Sequence, residues 1–328
     1  MMKTTDRIAW VDTVRGLCIM AILFFHTEKY YAGEEIIPYA LYVDNAIITF
    51  FFVSGYLFHR PGEAFSARHK LLSVGRKMVI PYFLFTLAIA LPKAWAHADT
   101  TLTETLTAIL TGHASWFVAA LIVTEVCFAV LLKACSRRQW LLRLLCVLPY
   151  PLIAVAYDTI GGDTLAPLNL WCWQNAMLMM AFFFAGYACR QSHLLRRLHR
   201  RSVVLAEAAL LIALKVLIYE NNLFLTIQPV HVSSWLYLLA DGLLGAVCLT
   251  ALCRVIPRLP FIEWTGRHSL IYYFICGGVP FTVTLLFAKA GFPYDGFYPP
   301  VILVFIIVYL SATLITWILN PFMKKITK

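Results

Sequence analysis

Along the chain, apolar runs of about twenty residues alternate with short polar breaks. Within each run the apolar character surrounds the whole helix instead of forming one stripe, which is the pattern of a buried or membrane-spanning element. At about 1.5 Å of rise per residue, such a run crosses the roughly 30 Å hydrocarbon layer of a bilayer. The runs lie at 7–31, 36–58, 79–97, 114–133, 140–157, 170–188, 202–219, 233–253, 269–288 and 299–319. They predict an all-α integral membrane protein, a single bundle of about ten transmembrane helices. No repeat or low-complexity linker divides the series, so residues 1–328 read as one polytopic domain. The segment 98–113 predicts a short amphipathic helix on the outer surface, and 68–77 reads as a basic loop before the third span.

Charge is distributed unevenly over the breaks. One alternating set holds Lys3 and Arg7; Arg60, Arg68, Lys70, Arg76 and Lys77; Lys133, Arg137, Arg138 and Arg143; Arg190, Arg196, Arg197, Arg200 and Arg201; Arg254, Arg258 and Arg267; and Lys324, Lys325 and Lys328. The opposite set holds only Lys29 and Lys289, while Arg15, Lys93 and Lys215 fall within spans. By the positive-inside rule both termini are cytoplasmic, which requires an even number of spans. The other breaks are acidic, with Glu28, Glu34, Glu35, Asp99 and Glu104 among them. This placement explains the net charge of +10 without a nucleic-acid partner. Composition agrees: only 13% of residues are charged and mean hydropathy is +0.76, where soluble domains carry about 25% charge. The first run is long, carries charge and lacks a small-residue cleavage site, so it reads as a retained helix and not a signal peptide. The nine cysteines lie mainly inside apolar runs, with neither disulfide-framework nor zinc spacing. The expected location is the inner (plasma) membrane, as a multi-pass protein.

The first span, RIAWVDTVRGLCIMAILFFHTEKYY, carries Asp12, Arg15 and His26. Charge at the bilayer centre costs about 2.5–3.5 kcal/mol per residue on insertion scales, so its presence marks function by default. Arg15 and His26 are eleven residues apart; at about 100° per residue that is three turns plus about 20°, one face, with about 16 Å between them along the axis. Asp12 is three residues from Arg15, within pairing distance. The functional reading makes His26 a general base and Arg15 a holder of an anionic group. The structural reading makes Asp12–Arg15 an ion pair and His26 an interfacial side chain. The residues alone leave both open. Asp44, Glu125, Glu207, Lys215 and Asp241 are further polar groups within spans. Glu207 and Lys215 are two turns apart and read as a pair or as snorkelling side chains. Ser54-Gly55 reads as a close helix contact.

The order Asp-x-x-Arg-Gly, an apolar run, then His26 resembles the opening helix of the acyltransferase family 3 membrane proteins. Further segments are similar in the family's order: FFFVSGYLF (50–58), the basic stretch ending in RKMVIPYF (76–83), SWFVAAL (115–121), FFFAGY (182–187) and TGRHSLIYYF (265–274). Two details depart from the family pattern. Arg68, His69, Lys70 and Arg76, Lys77 replace its two arginines with two residues between them, and Tyr273 is followed by Phe274, Ile275 and Cys276, not by a nearby His. The resemblance implies an O-acetyltransferase related broadly to fucose O-acetylase-like proteins. Its donor would be cytosolic acetyl-coenzyme A and its acceptor a hydroxyl of an envelope glycan or a lipid-linked sugar, with no metal. His26 would be catalytic with Arg15. Arg15, Arg68, Lys70, Arg76 and Lys77 would hold the donor, and Asp12, Trp116 and Glu125 the substrate, Glu125 lining the acceptor cavity.

The chemistry is consistent with that. Acyl transfer from a thioester to a hydroxyl needs a base for the hydroxyl proton and a donor group for the developing oxyanion; an ordinary imidazole, with a pKa of about 6.5, serves as that base at neutral pH. Basic residues at the inner mouth suit a polyanionic donor, and they also serve simply to set topology. A transporter or flippase for an envelope glycan precursor is the alternative function, and a structural membrane subunit a third. Three other histidines, His97, His113 and His231, fall near the outer face.

Overall fold

The computed structural model describes residues 8–96, 101–196 and 200–327, with backbone alone for 90–96 and 196. Lys3, Arg7, His97, Asp99, Arg197 and Lys328 lie outside the described residues, as do the side chains of Lys93 and Arg196. The helices are α1 (Ala9–Ala32), α2 (Tyr39–Phe58), α3 (Ala67–Val74), α4 (Ile80–Ala96), α5 (Leu102–Leu110), α6 (Trp116–Ala134), α7 (Gln139–Val147), α8 (Pro149–Ile160) and α9 (Gly162–Leu165). They continue as α10 (Trp173–Gln191), α11 (Arg201–Glu220), α12 (Trp235–Val255), α13 (Pro260–Arg267), α14 (Ser269–Ile275), α15 (Gly278–Lys289) and α16 (Pro299–Ile326). The strands among the described residues are β1 (Leu225–Thr226) and β2 (His231–Val232), one small antiparallel hairpin. The all-α membrane class is therefore the observed one.

Eight helices or helix runs among the described residues are long and apolar enough to cross a membrane, and nine if the bent pair α14–α15 is one span. The expected ten also included α10, which is 19 residues long but opens on Trp173, Gln174 and Asn175 and falls short in apolarity. The bent pair turns by 48° at Cys276–Gly277. The third span starts earlier than its predicted residue 79. Ser66 caps α3, its hydroxyl accepting from the His69 N–H at 3.4 Å, and a π-helical turn at Gly75–Val79 carries the chain into α4. The basic residues 68–77 thus lie on helix, not in a loop, because nothing at Gly75 breaks the hydrogen-bond ladder. In the predicted amphipathic segment, α5 forms behind a capping box: Thr101 accepts from the Glu104 N–H while the Glu104 carboxylate accepts from the Thr101 N–H. Hydrogen bonds to it from the Thr101 N–H and the Thr101 hydroxyl hold the Glu104 carboxyl below the usual range.

The chain gathers into two compact units built from discontinuous segments. Met1–Phe50, His193–Asn222 and Ala240–Asn320 form the first; Phe51–Ser192, Leu223–Leu239 and Pro321–Lys328 form the second. In the first, α1 lies directly on α13. A Cβ on Gly16 would sit 2.2 Å from the Ile262 carbonyl oxygen, and one on Gly266 would sit 1.7 Å from that of Asp12. Backbones that close admit only glycine, the small-residue packing expected in membranes. Glu28, assigned above to a polar break, is buried on α1, where its carboxylate accepts from the Ile37 N–H at 3.1 Å and the Tyr298 hydroxyl at 3.0 Å.

In the second unit, α2 and α10 cross in the same manner. A Cβ on Gly55 would meet the Phe183 carbonyl oxygen at 1.9 Å, and one on Gly186 that of Phe52 at 1.8 Å. The segments FFFVSGYLF and FFFAGY are thus two halves of one crossing. Ser54-Gly55 is the close contact expected. Around it, Phe58, Phe128 and Phe183 pack with ring centroids 4.9–5.5 Å apart, the favourable range for aromatic pairs.

Candidate active site

The helix that carries the candidate residues is unbroken from Ala9 to Ala32, so Arg15 and His26 do share one face. Asp12 lies in its first turn, where a carboxylate complements the helix dipole. The Asp12 carboxylate also pairs with Arg267 of α13, at 3.3 Å. Arg267 reaches the buried Glu263 at 3.2 Å, and Arg258 donates two hydrogen bonds to the same carboxylate at 3.0 and 2.7 Å. Those hydrogen bonds from Arg258 hold the Glu263 carboxyl below its usual range, with burial opposing them. Asp12 therefore belongs to a charge ladder running Arg258, Glu263, Arg267, Asp12. TGRHSLIYYF docks against Asp-x-x-Arg-Gly through the Gly266 and Gly16 contacts, which is why two motifs at opposite ends of the chain meet.

His26 is half-buried near the other end of α1. Its ring stacks at 6.1 Å and 18° on Tyr30, whose ring meets Phe281 of α15 edge-on at 5.6 Å. Phe25 beside it meets Tyr39 of α2 at 5.1 Å. Among the described residues the His26 ring makes no hydrogen bond. A Cβ on Gly277 would lie 3.9 Å from the Tyr30 hydroxyl oxygen, so this end of α1 stands at the break between α14 and α15. At membrane depth a broken helix persists only where protein or a water-lined cavity satisfies its backbone.

The remaining candidates belong to the second unit. Lys70 pairs with Glu125 at 3.0 Å and lies 4.2 Å over the Phe58 ring. A residue expected at the donor thus meets one expected at the acceptor, and each occupies the other's charge. Trp116 and Glu125 are nine residues apart on the unbroken α6, half a turn out of phase, so they face opposite sides and do not share a pocket wall. Arg76 and Lys77 are exposed on the π-helical turn. Arg68 and Lys133 flank an apolar groove of about 650 Å³ floored by Ala67, Leu71 and Val130. His113 is bonded to the Thr111 hydroxyl at 2.9 Å, and His231 stacks on Phe224 in the hairpin.

The family model for the acyltransferase domain, acyltransferase family 3, matches residues 8–320. The chain belongs to this family. It is a membrane acyltransferase. No curated protein and no solved structure matches it. The match spans both units and includes every residue of the α1 face, the Asp12–Arg267 ladder and the α14–α15 break.

Sequence reasoning overlooked Arg267 as the Asp12 partner, Lys133 beside Arg68, and Tyr30 beside His26. Tyr30 had a signal, since it lies one turn beyond His26 on the same face. The other two pairings join distant segments and leave no local trace.

Proposed function

We propose that this membrane acyltransferase moves an acetyl group from cytosolic acetyl-coenzyme A to a hydroxyl of an envelope glycan or lipid-linked sugar. A ring nitrogen of His26 takes the acceptor hydroxyl proton as the hydroxyl oxygen attacks the thioester carbonyl. The tetrahedral oxyanion then collapses, the carbon–sulfur bond breaks, and the thiolate leaves with the proton returned by the imidazolium. Arg15 holds an anionic part of the donor, with Asp12 fixing its orientation through charge. Arg68, Arg76 and Lys77, joined by Lys133, offer cations to the coenzyme phosphates, the arginines as planar forks and the lysines as point charges.

One observation carries this reading: in a chain of an acyltransferase family, His26 ends a charged intramembrane face beside a broken helix, with no hydrogen bond from its ring among the described residues. A titratable group held on a rigid helix next to a break suits a proton acceptor that must meet a substrate. Purified protein in detergent, given acetyl-coenzyme A and envelope glycan fragments, should release free thiol in step with acetylated product. Absence of thiol release by well-folded protein would overturn the reading. The α14–α15 break is the observation that favours a transporter, since transporters use discontinuous helices. A transporter would move the glycan across vesicles and release no thiol.

A further inference from the structure

In the second unit, α4 ends at Ala96, yet thirteen residues later the Ile109 carbonyl oxygen accepts from the Tyr82 hydroxyl at 3.0 Å. Tyr82 lies fourteen residues before Ala96 on α4, about 21 Å back along the helix axis. α5 therefore runs back beside α4, and its last turn stands level with Tyr82. That level falls inside Ala67–Ile89, a stretch apolar enough to cross a membrane. At such a depth backbone polar groups need partners within the protein, and the turn after α5 supplies them. The Thr111 carbonyl oxygen accepts from the Trp171 N–H at 2.6 Å, and the Gly112 N–H donates to the Ile109 carbonyl oxygen at 3.3 Å. The Tyr82 and Phe83 rings meet Trp171 with centroids 5.3 and 5.9 Å apart. Gly112 has a φ of 88°, and a Cβ there would sit 2.6 Å from the Trp171 Cα, so the turn closes only on glycine.

Beyond its buried seam at Ile109, α5 presents two different flanks. Leu102, Leu106 and Leu110 recur every four residues and so form one stripe, and they are 52%, 39% and 66% exposed. Alongside, α4 exposes Ile80, Leu84 and Leu87, so the leucine stripe continues an apolar surface of the span. Thr103, Glu104 and Thr107 are exposed as well, but they lie about 100–200° round the helix from Leu102. A carboxylate is costly in hydrocarbon, whereas exposed leucines in water form an apolar patch that calls for a cover. The two flanks therefore suit two different surroundings.

We propose that α5 is a re-entrant arm, not a helix lying on the outer surface: its leucine stripe contacts the acyl chains of the bilayer, and its Thr103–Glu104–Thr107 flank contacts water. The occupant of the stripe is bulk lipid. The return to the level of Tyr82 carries the stripe to membrane depth, and the neighbouring face of α4 is apolar there. The arm thus forms a partition between hydrocarbon and an aqueous recess on its other side. This reading is independent of the acyl-transfer chemistry, since it rests on the course of the chain and on the two flanks alone.

The test places a fluorescent label on each flank of the full-length protein in phosphatidylcholine vesicles. Leu106→Cys and Thr107→Cys are labelled with bimane; the two positions are neighbours at one depth, about 100° apart round the helix, and both are exposed, so the fold tolerates the changes. The native cysteines are buried except for the half-buried Cys127, and labelled wild type gives the background to subtract. Phosphatidylcholine brominated on its acyl chains should quench the label at 106 at least threefold more than the label at 107, and aqueous iodide should show the reverse order. Label at Leu110→Cys should respond to bromine deep in the chains more than label at Leu102→Cys, which lies about 12 Å nearer the surface. Iodide quenching equal at 106 and 107 would place the whole helix in water and overturn the proposal. Protection of 106 from both quenchers would also overturn it, because protein, such as a second copy of this chain, would then cover the stripe.

Discussion

His26 and Glu263 separate chemistry from architecture most sharply. His26→Ala should keep donor binding and melting temperature while acetyl transfer falls by about 100-fold or more, the scale of a lost general base. His26→Gln should fail equally, because an amide accepts no proton at neutral pH; near-normal turnover per folded molecule would remove the base assignment. Arg15→Lys keeps charge but loses the planar fork, so donor affinity measured by calorimetry should fall less than in Arg15→Ala. Glu263 belongs to the ladder, not to the chemistry. Its carboxyl is held below the ordinary pKa of about 4.3 by hydrogen bonds from Arg258. It therefore adds stability above that pH and loses it as pH falls through the depressed folded value. Glu263→Gln should flatten the acid arm of melting temperature against pH below about pH 4; an unchanged acid arm would show that the ladder adds nothing. Asp12, Arg15 and His26 were legible in the sequence because charge inside an apolar run is conspicuous. Arg267 was not, since a basic residue at the end of a basic segment looks like any other topology signal.

Among the elements, the crossings α1–α13 and α2–α10 rest on glycine. Gly55→Ala or Gly186→Ala should destabilise by about 1–3 kcal/mol or more, because the added methyl meets a backbone carbonyl that cannot step aside. Gly75→Ala is the control: nothing lies within 4 Å of a Cβ there, and in helical conformation Ala gains up to about 1 kcal/mol over Gly. Thermal unfolding of the three variants checks both directions together. Ser54-Gly55 could be read as a contact from its composition, but its partner, Gly186, could not. Helix boundaries were legible where apolar runs met polar breaks. They failed at 67–79, where a helix continues through basic residues, and at Cys276–Gly277, where an apolar run hides a bend.

For the whole molecule, the alternating Lys and Arg place both termini in the cytoplasm as a proposal, and this ties to the span count. Eight spans satisfy it; so do ten, with α10 and the bent pair both crossing; nine do not. Reporter fusions at each terminus should both give cytoplasmic signals, and opposite signals would force an odd count. The contact between α1 and α13 also has a consequence for synthesis. Roughly 230 residues separate the end of α1 from its partner in sequence, which at about 5–20 residues per second means ten to fifty seconds of translation. Throughout that interval the nascent α1 waits in the translocon or bilayer with Asp12 lacking Arg267. Chains truncated before α13 should therefore be cleared by membrane proteases faster than the full-length protein, which pulse-chase measurement checks.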